Sequence, residues 1–153
     1  MTIFGVAGEL LLPPGTVSTH NLVSSANEDT NRANINSSVL VVDDEENLLV
    51  LLDKILSKEG YQVKTANTAY EALEFFDESD ISVALIDIRM YPIDGIALLA
   101  EIKKRSPSTH VIMMTSCLTT ETENLCMKYG ATNYITKPLE IQKLKIALRG
   151  LLA

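Results

Sequence analysis

Between Val39 and Leu151 the chain repeats one pattern five times: a short apolar run, a turn, then a longer stretch with apolar residues three and four positions apart. Few folds accept that pattern. Apolar runs of four to six residues suit strands buried on both faces, and the stretches between them suit helices that cover those faces. The runs are Val39 to Val42, Tyr61 to Thr65, Val83 to Ile86, His110 to Met114 and Ala131 to Thr136. The second is the most polar, as expected near a sheet edge.

Five helices are predicted between and after these runs. The first continues through Lys58 with Leu48, Leu51, Leu52, Ile55 and Leu56 inward, and Gly60 stops it. The second, Thr68 to about Asp77, buries Ala72, Leu73 and Phe76. The third opens at Gly95 with Ile96, Leu99 and Ile102 inward, and Ser106-Pro107 ends it. A weaker fourth is capped by Thr119 or Thr120 and reaches Tyr129-Gly130; the last, Glu140 to Leu151, carries Ile141, Leu144, Leu148 and Leu151 on one stripe. This alternation predicts an α/β fold, a doubly wound parallel sheet with helices on both faces. Right-handed crossovers then bring every strand's carboxyl end to one rim.

Residues 1–37 read differently. Pro13-Pro14-Gly15 precedes a polar stretch, Ser24 to Asn31, which cannot bury enough apolar surface to fold alone, so a flexible N-terminal tail is expected there and one folded domain over 38–153. Ile3, Phe4, Val6 and Leu10 to Leu12 are the apolar exception. A net charge of −7 over 153 residues argues against a nucleic-acid surface. No apolar run approaches the roughly 20 residues that span a bilayer, and the N-terminus lacks a secretory pattern. Cys117 and Cys126 make no disulfide framework. A cytoplasmic setting, without membrane or direct nucleic-acid partners, is the expectation.

Four of the five strands end in a reactive residue type. The first delivers Asp43 and Asp44, the third Asp87, the fourth Thr115 and the fifth Lys137. Any one of these has an ordinary use, since an aspartate caps helices and shapes turns. Their arrival at one rim, where open α/β folds hold ligands, is the informative fact. Carboxylates about 4 Å apart repel by roughly 4 kcal/mol per pair at an effective dielectric near 20, so three together call for a cation. Oxygen donors select a hard ion such as Mg²⁺. A carboxylate beside such an ion, with an ammonium and a hydroxyl aimed at the same spot, suits phosphoryl transfer, with Asp87 as the nucleophile.

The ordered set resembles the response-regulator receiver domains of two-component signalling, the CheY-like superfamily. It comprises Asp43-Asp44 after Val-Leu-Val-Val, then Leu85 to Met90 with Asp94-Gly95, then Met113-Met114-Thr115, and Tyr134 to Pro138. The resemblance covers Ser38 onward and implies the flavodoxin-like strand order 2-1-3-4-5. It implies that Asp87 is the phosphoacceptor, that Asp44 and Asp87 ligate Mg²⁺ directly, and that Asp43 acts largely through water. The Arg89 carbonyl would be a further ligand. Thr115 would be the switch hydroxyl, Tyr134 the aromatic that turns inward with it, and Lys137 the phosphate-binding lysine, joined to Pro138 by a cis peptide. Three departures from the family pattern stand out: Tyr91 precedes Pro92 where the family has Pro directly after Met, Ser116 replaces Ala or Gly, and Arg89 and Cys117 stand where dephosphorylation is tuned.

The partners so implied are a sensor histidine kinase or phosphotransfer protein, and a downstream effector bound through the fourth helix, fifth strand and fifth helix. A homodimer is a further partnership open to the chain. Leu49 and Val50, off the predicted core stripe, suggest a kinase-docking patch, and Ile146 a place on the output face. The chain is expected to be a signalling module that catalyses only its own phosphorylation and dephosphorylation, either free-standing or part of a longer regulator. Two alternatives remain: an aspartate-nucleophile Mg²⁺-dependent phosphatase, and a receiver-like interaction module that is never phosphorylated. The first expects Asp-x-Asp after the first strand, where Asp43-x-Glu45 stands.

Overall fold

A computed structural model describes residues 37–152. The tail predicted over 1–37 lies outside the described residues, apart from Ser37. Five strands alternate with five helices among the described residues: β1 (Ser38–Val42), α1 (Glu46–Lys58), β2 (Gln62–Ala66), α2 (Ala69–Glu78), β3 (Val83–Asp87), α3 (Gly95–Arg105), β4 (His110–Thr115), α4 (Thr120–Lys128), β5 (Asn133–Thr136) and α5 (Ile141–Leu152). All strand pairs are parallel, and the order is β2-β1-β3-β4-β5. Both the doubly wound sheet and its strand order match expectation. No helix among the described residues is long and apolar enough to cross a membrane.

Alternation along each strand divides the core in two. Val39, Val41, Val83, Leu85, Ile112 and Met114 face one side, packed with Leu49, Leu52 and Leu56 of α1 and Leu144 and Leu148 of α5. Leu40, Val42, Ala84, Ile86, Val111 and Met113 face the other, packed with α2, α3 and Cys126 of α4. Successive strand residues point to opposite faces, and strands covered on both sides are apolar throughout, which is why the runs lack polar alternation.

On α1 the inward stripe is Leu49, Leu52 and Leu56, with Leu48 and Ile55 partly buried, while Leu51 is exposed beside Val50. Leu49 therefore belongs to the core, not to a docking patch. The cause is legible: Leu48 to Leu52 are apolar without interruption, so helical spacing alone does not select a face. On α3, Leu98 joins Leu99 and Ile102 in the core, and Ile96 is only partly buried.

Local chemistry sets the helix ends. Thr68 Oγ1 accepts from Glu71 N at 3.1 Å, Asp94 Oδ1 from Ala97 N at 2.8 Å, and Thr119 Oγ1 from Thr122 N at 3.1 Å, each satisfying an N–H that the helix leaves open. Gly60, with φ of 102°, ends α1 in the left-handed region that a side chain disfavours. Gly95 answers a different need. A Cβ there would lie 2.1 Å from the Asp87 carbonyl oxygen, so α3 starts hard against the end of β3. Gly95 N also donates to Ile88 O at 2.8 Å.

Candidate functional site

The two-residue period of the strands sorts the site before any distance is measured. Asp87 continues the phase of Val83 and Leu85, Asp43 that of Val39 and Val41, and Lys137 that of Ile135, all on the α1/α5 side. Thr115 continues the phase of Val111 and Met113 on the other side, which Tyr134 shares. Asp43, Asp87 and the amine thus gather in front of one face, and the hydroxyl and aromatic in front of the other.

Asp43, Asp44 and Asp87 each offer an oxygen, all within 4.8 Å of one another. Asp43 is fully buried, Asp87 nearly so, and Asp44 is exposed. Lys137 reaches them because its N–H donates to Thr115 O at 2.7 Å, which prolongs the β4–β5 ladder to the rim. Its Nζ lies 2.6 Å from Asp43 Oδ2 and 3.4 Å from Asp87 Oδ1. The other Asp43 oxygen accepts from Glu45 N at 2.9 Å. Three carboxylates against one ammonium leave surplus negative charge.

Burial pushes the Asp87 carboxyl above its ordinary range, the Asp43 charge adds to this, and Lys137 opposes it. Burial alone would lower Lys137, yet its hydrogen bonds and charge contacts with Asp43 and Asp87 together outweigh that and raise it, so it stays an ammonium. This donor set fits a hard divalent cation: the oxygens converge, and positive charge is what they lack.

Thr115 is buried, and its hydroxyl is turned along the chain. Oγ1 accepts from Cys117 N at 3.1 Å and donates to Cys117 O at 3.2 Å. Tyr134, half-buried, donates its phenol hydroxyl to Glu123 of α4. Arg89 is exposed on the loop leaving Asp87, and the Lys137-Pro138 bond is cis, as anticipated. Tyr91-Pro92 is cis as well, and Tyr91 is 84% exposed. Cys117 is exposed and Cys126 buried, both free.

Sequence reasoning assembles the acids, lysine and threonine but misses three partners. Glu123 carries no spacing signal toward Tyr134, because the two lie on different elements. The Cys117 backbone is invisible to residue type. Asp94 as the α3 cap was readable, since an aspartate before Gly95 and a periodic apolar stretch is a helix-start pattern. Beside the cluster, Glu45, Leu48, Leu51, Ser116, Lys137, Pro138, Leu139 and Ile141 line a groove of about 470 Å³. Ser116 thus opens onto this groove.

A family model described as the response regulator receiver domain matches residues 39–149. The transcriptional regulatory protein ZraR of Escherichia coli K12 is 39% identical over 118 residues, covering 77% of this chain and 27% of that protein. Among solved structures, a CheY-like response regulator receiver domain protein from Methanospirillum hungatei JF-1 superposes with a TM-score of 0.69 at 32% identity, over 75% of this chain and 95% of that one. The receiver domain of NtrX from Brucella abortus gives 0.70 at 34% identity, over 74% and 97%. The chain spans about a quarter of the length of the curated relatives it matches, 27% and 26% for the first two. Relatives named as transcriptional regulators lend no support to the expectation that nucleic acid is not a partner.

Proposed function

Because the chain belongs to the response regulator receiver domains of two-component signalling, we propose that Asp87 accepts a phosphoryl group from a histidine kinase or phosphotransfer protein and that the module thereby switches a partner-binding face. One observation carries this reading: Lys137 lies against both Asp43 and Asp87, at the point where three carboxylates converge. In this reading residues 38–153 form the receiver, acting in the cytoplasm, and 1–37 lie outside it.

Asp43, Asp44 and Asp87 would hold Mg²⁺, with the Arg89 carbonyl as a further ligand. Bound there, the ion would supply charge neutralisation to the phosphoryl oxygens. An Asp87 carboxylate oxygen attacks phosphorus, an O–P bond forms, and the bond from phosphorus to the donor's imidazole nitrogen breaks. The electron pair leaves with that nitrogen, which takes up a proton. Lys137, already an ammonium, faces the equatorial oxygens. Burial around Asp43 and Asp87 strengthens each of these charge contacts.

The response has an energetic requirement. Moving from mostly resting to mostly active takes about 5.5 kcal/mol of differential preference. A Thr115 bond to the phosphoryl group contributes about 1 kcal/mol and displaces the two bonds to Cys117. The charged contact to Lys137 and repacking of the β4–α4 loop supply the remainder. The output face in this reading is α4, β5 and α5, where Leu125, Met127, Tyr129 and Ile146 are exposed. The donor docks over the groove lined by Leu48, Leu51, Leu139 and Ile141, whose wall includes Lys137.

The test is labelling by acetyl phosphate with Mg²⁺, read by intact mass. Wild type takes one phosphoryl group per chain, and Asp87→Asn takes none. Labelling of Asp87→Asn equal to wild type overturns the assignment, and catalytic release of phosphate from many phosphomonoesters would favour a phosphatase.

A further inference from the structure

Thr115 and Tyr134 sit on adjacent strands, in front of the face that α4 covers. Between them the β4–α4 chain and the hydrogen bonds at its two ends form a continuous path. Thr115 Oγ1 is tied to both the N–H and the carbonyl of Cys117. Two residues on, Thr119 caps α4. Glu123, in that helix's first turn, receives the Tyr134 hydroxyl. Tyr134 thereby closes the loop back onto β5.

Glu123 does not need the tyrosine. A carboxylate in a first turn is already favoured by the helix dipole, and Glu123, only half-buried, still has water as a substitute donor. The dependence runs the other way. Tyr134 has its hydroxyl held at α4, and any inward turn of the ring gives up a hydrogen bond to a charged acceptor. A contact present in only one of two conformations biases the equilibrium between them.

Resting on the reading of Thr115 and Tyr134 as the moving pair, we propose that Glu123 is a positioning residue: it holds Tyr134 against α4 and so sets the threshold for switching. Phosphorylation draws Thr115 off Cys117, the β4–α4 link loosens, and the inward turn of Tyr134 must break the Glu123–Tyr134 bond. Without it the active conformation is more populated at rest, and a ligand selecting that conformation binds more tightly in proportion.

The experiment is an equilibrium titration with beryllofluoride at saturating Mg²⁺, followed by NMR. Glu123→Ala and Tyr134→Phe should each lower the half-saturating concentration about three- to tenfold, the range an ordinary net hydrogen bond supports where water can replace the lost partner. Glu123→Gln, which keeps an acceptor, should fall between them and wild type. Combining Glu123→Ala with Tyr134→Phe should add nothing beyond either alone, and Mg²⁺ affinity without beryllofluoride should not move. Half-saturation unchanged within about twofold in both single variants, or additive effects in the double variant, overturns the role of Glu123. If wild type itself takes no beryllofluoride in the presence of Mg²⁺, the phosphoacceptor reading fails and the proposal falls with it.

Discussion

Asp87 is a carboxylate whose charge the fold disfavours, and this sets the residue-scale predictions. Burial, then the neighbouring Asp43 charge, hold its folded pKa above the ordinary value of 3.8. The stability tied to the protonated form is complete below the unfolded pKa and is lost as pH rises through the folded one. Asp87→Asn should therefore melt higher than wild type at pH 7 without Mg²⁺, by a few degrees, the shift about 1 kcal/mol produces in a domain of this size. That gap should close as pH falls toward 3.8, which melting curves across pH will check. Lys137 shows the opposite sign. Among the described residues it is the only ammonium paired with fully buried Asp43, and Lys137→Ala leaves that charge unpaired. The expected loss is about 3 kcal/mol in urea unfolding at neutral pH.

At the scale of elements, strands are more legible than helices. Val39 to Val42 and Val83 to Ile86 leave no choice of face, because both sides are covered, and the period of two then fixes which side Asp43, Asp87 and Lys137 occupy. Spacing misplaces Leu49 and Leu51 of α1 because five consecutive apolar residues give a helix no unique inward stripe. Gly95 is legible only as a helix start; its contact with the Asp87 carbonyl emerges from the way α3 meets β3. Gly95→Ala should cost about 3 kcal/mol, since the neighbour that must yield is backbone. It should also weaken labelling of Asp87, by displacing the end of β3. Gly150 is the contrasting case, an α5 glycine with nothing within 4 Å of the place an added Cβ would take. Gly150→Ala should stabilise by about 1 kcal/mol with labelling unchanged, a difference that paired melting and mass measurements will separate.

For the whole molecule, the sheet is the device that makes distant residues neighbours. Lys137 and Asp43 are 94 positions apart in the chain, yet their side chains meet at 2.6 Å. Right-handed crossovers and one rim make that meeting foreseeable. Contacts depending on side-chain direction, such as Tyr134 to Glu123 and Thr115 to Cys117, are not, because residue type and spacing do not encode them. A cation that binds only the assembled rim should stabilise the entire domain, by about 2.7 kcal/mol at a hundred times its Kd. Melting with added Mg²⁺ should show this rise in wild type and a much smaller one in Asp87→Asn. The most direct measurement is chemical: label the protein with acetyl phosphate and Mg²⁺, reduce the acyl phosphate with borohydride, and sequence the peptides by mass. Homoserine in place of Asp87, and nowhere else, is the predicted result; homoserine at Asp43, Asp44 or Asp94, or at no position in a protein that has taken up phosphate, would contradict it.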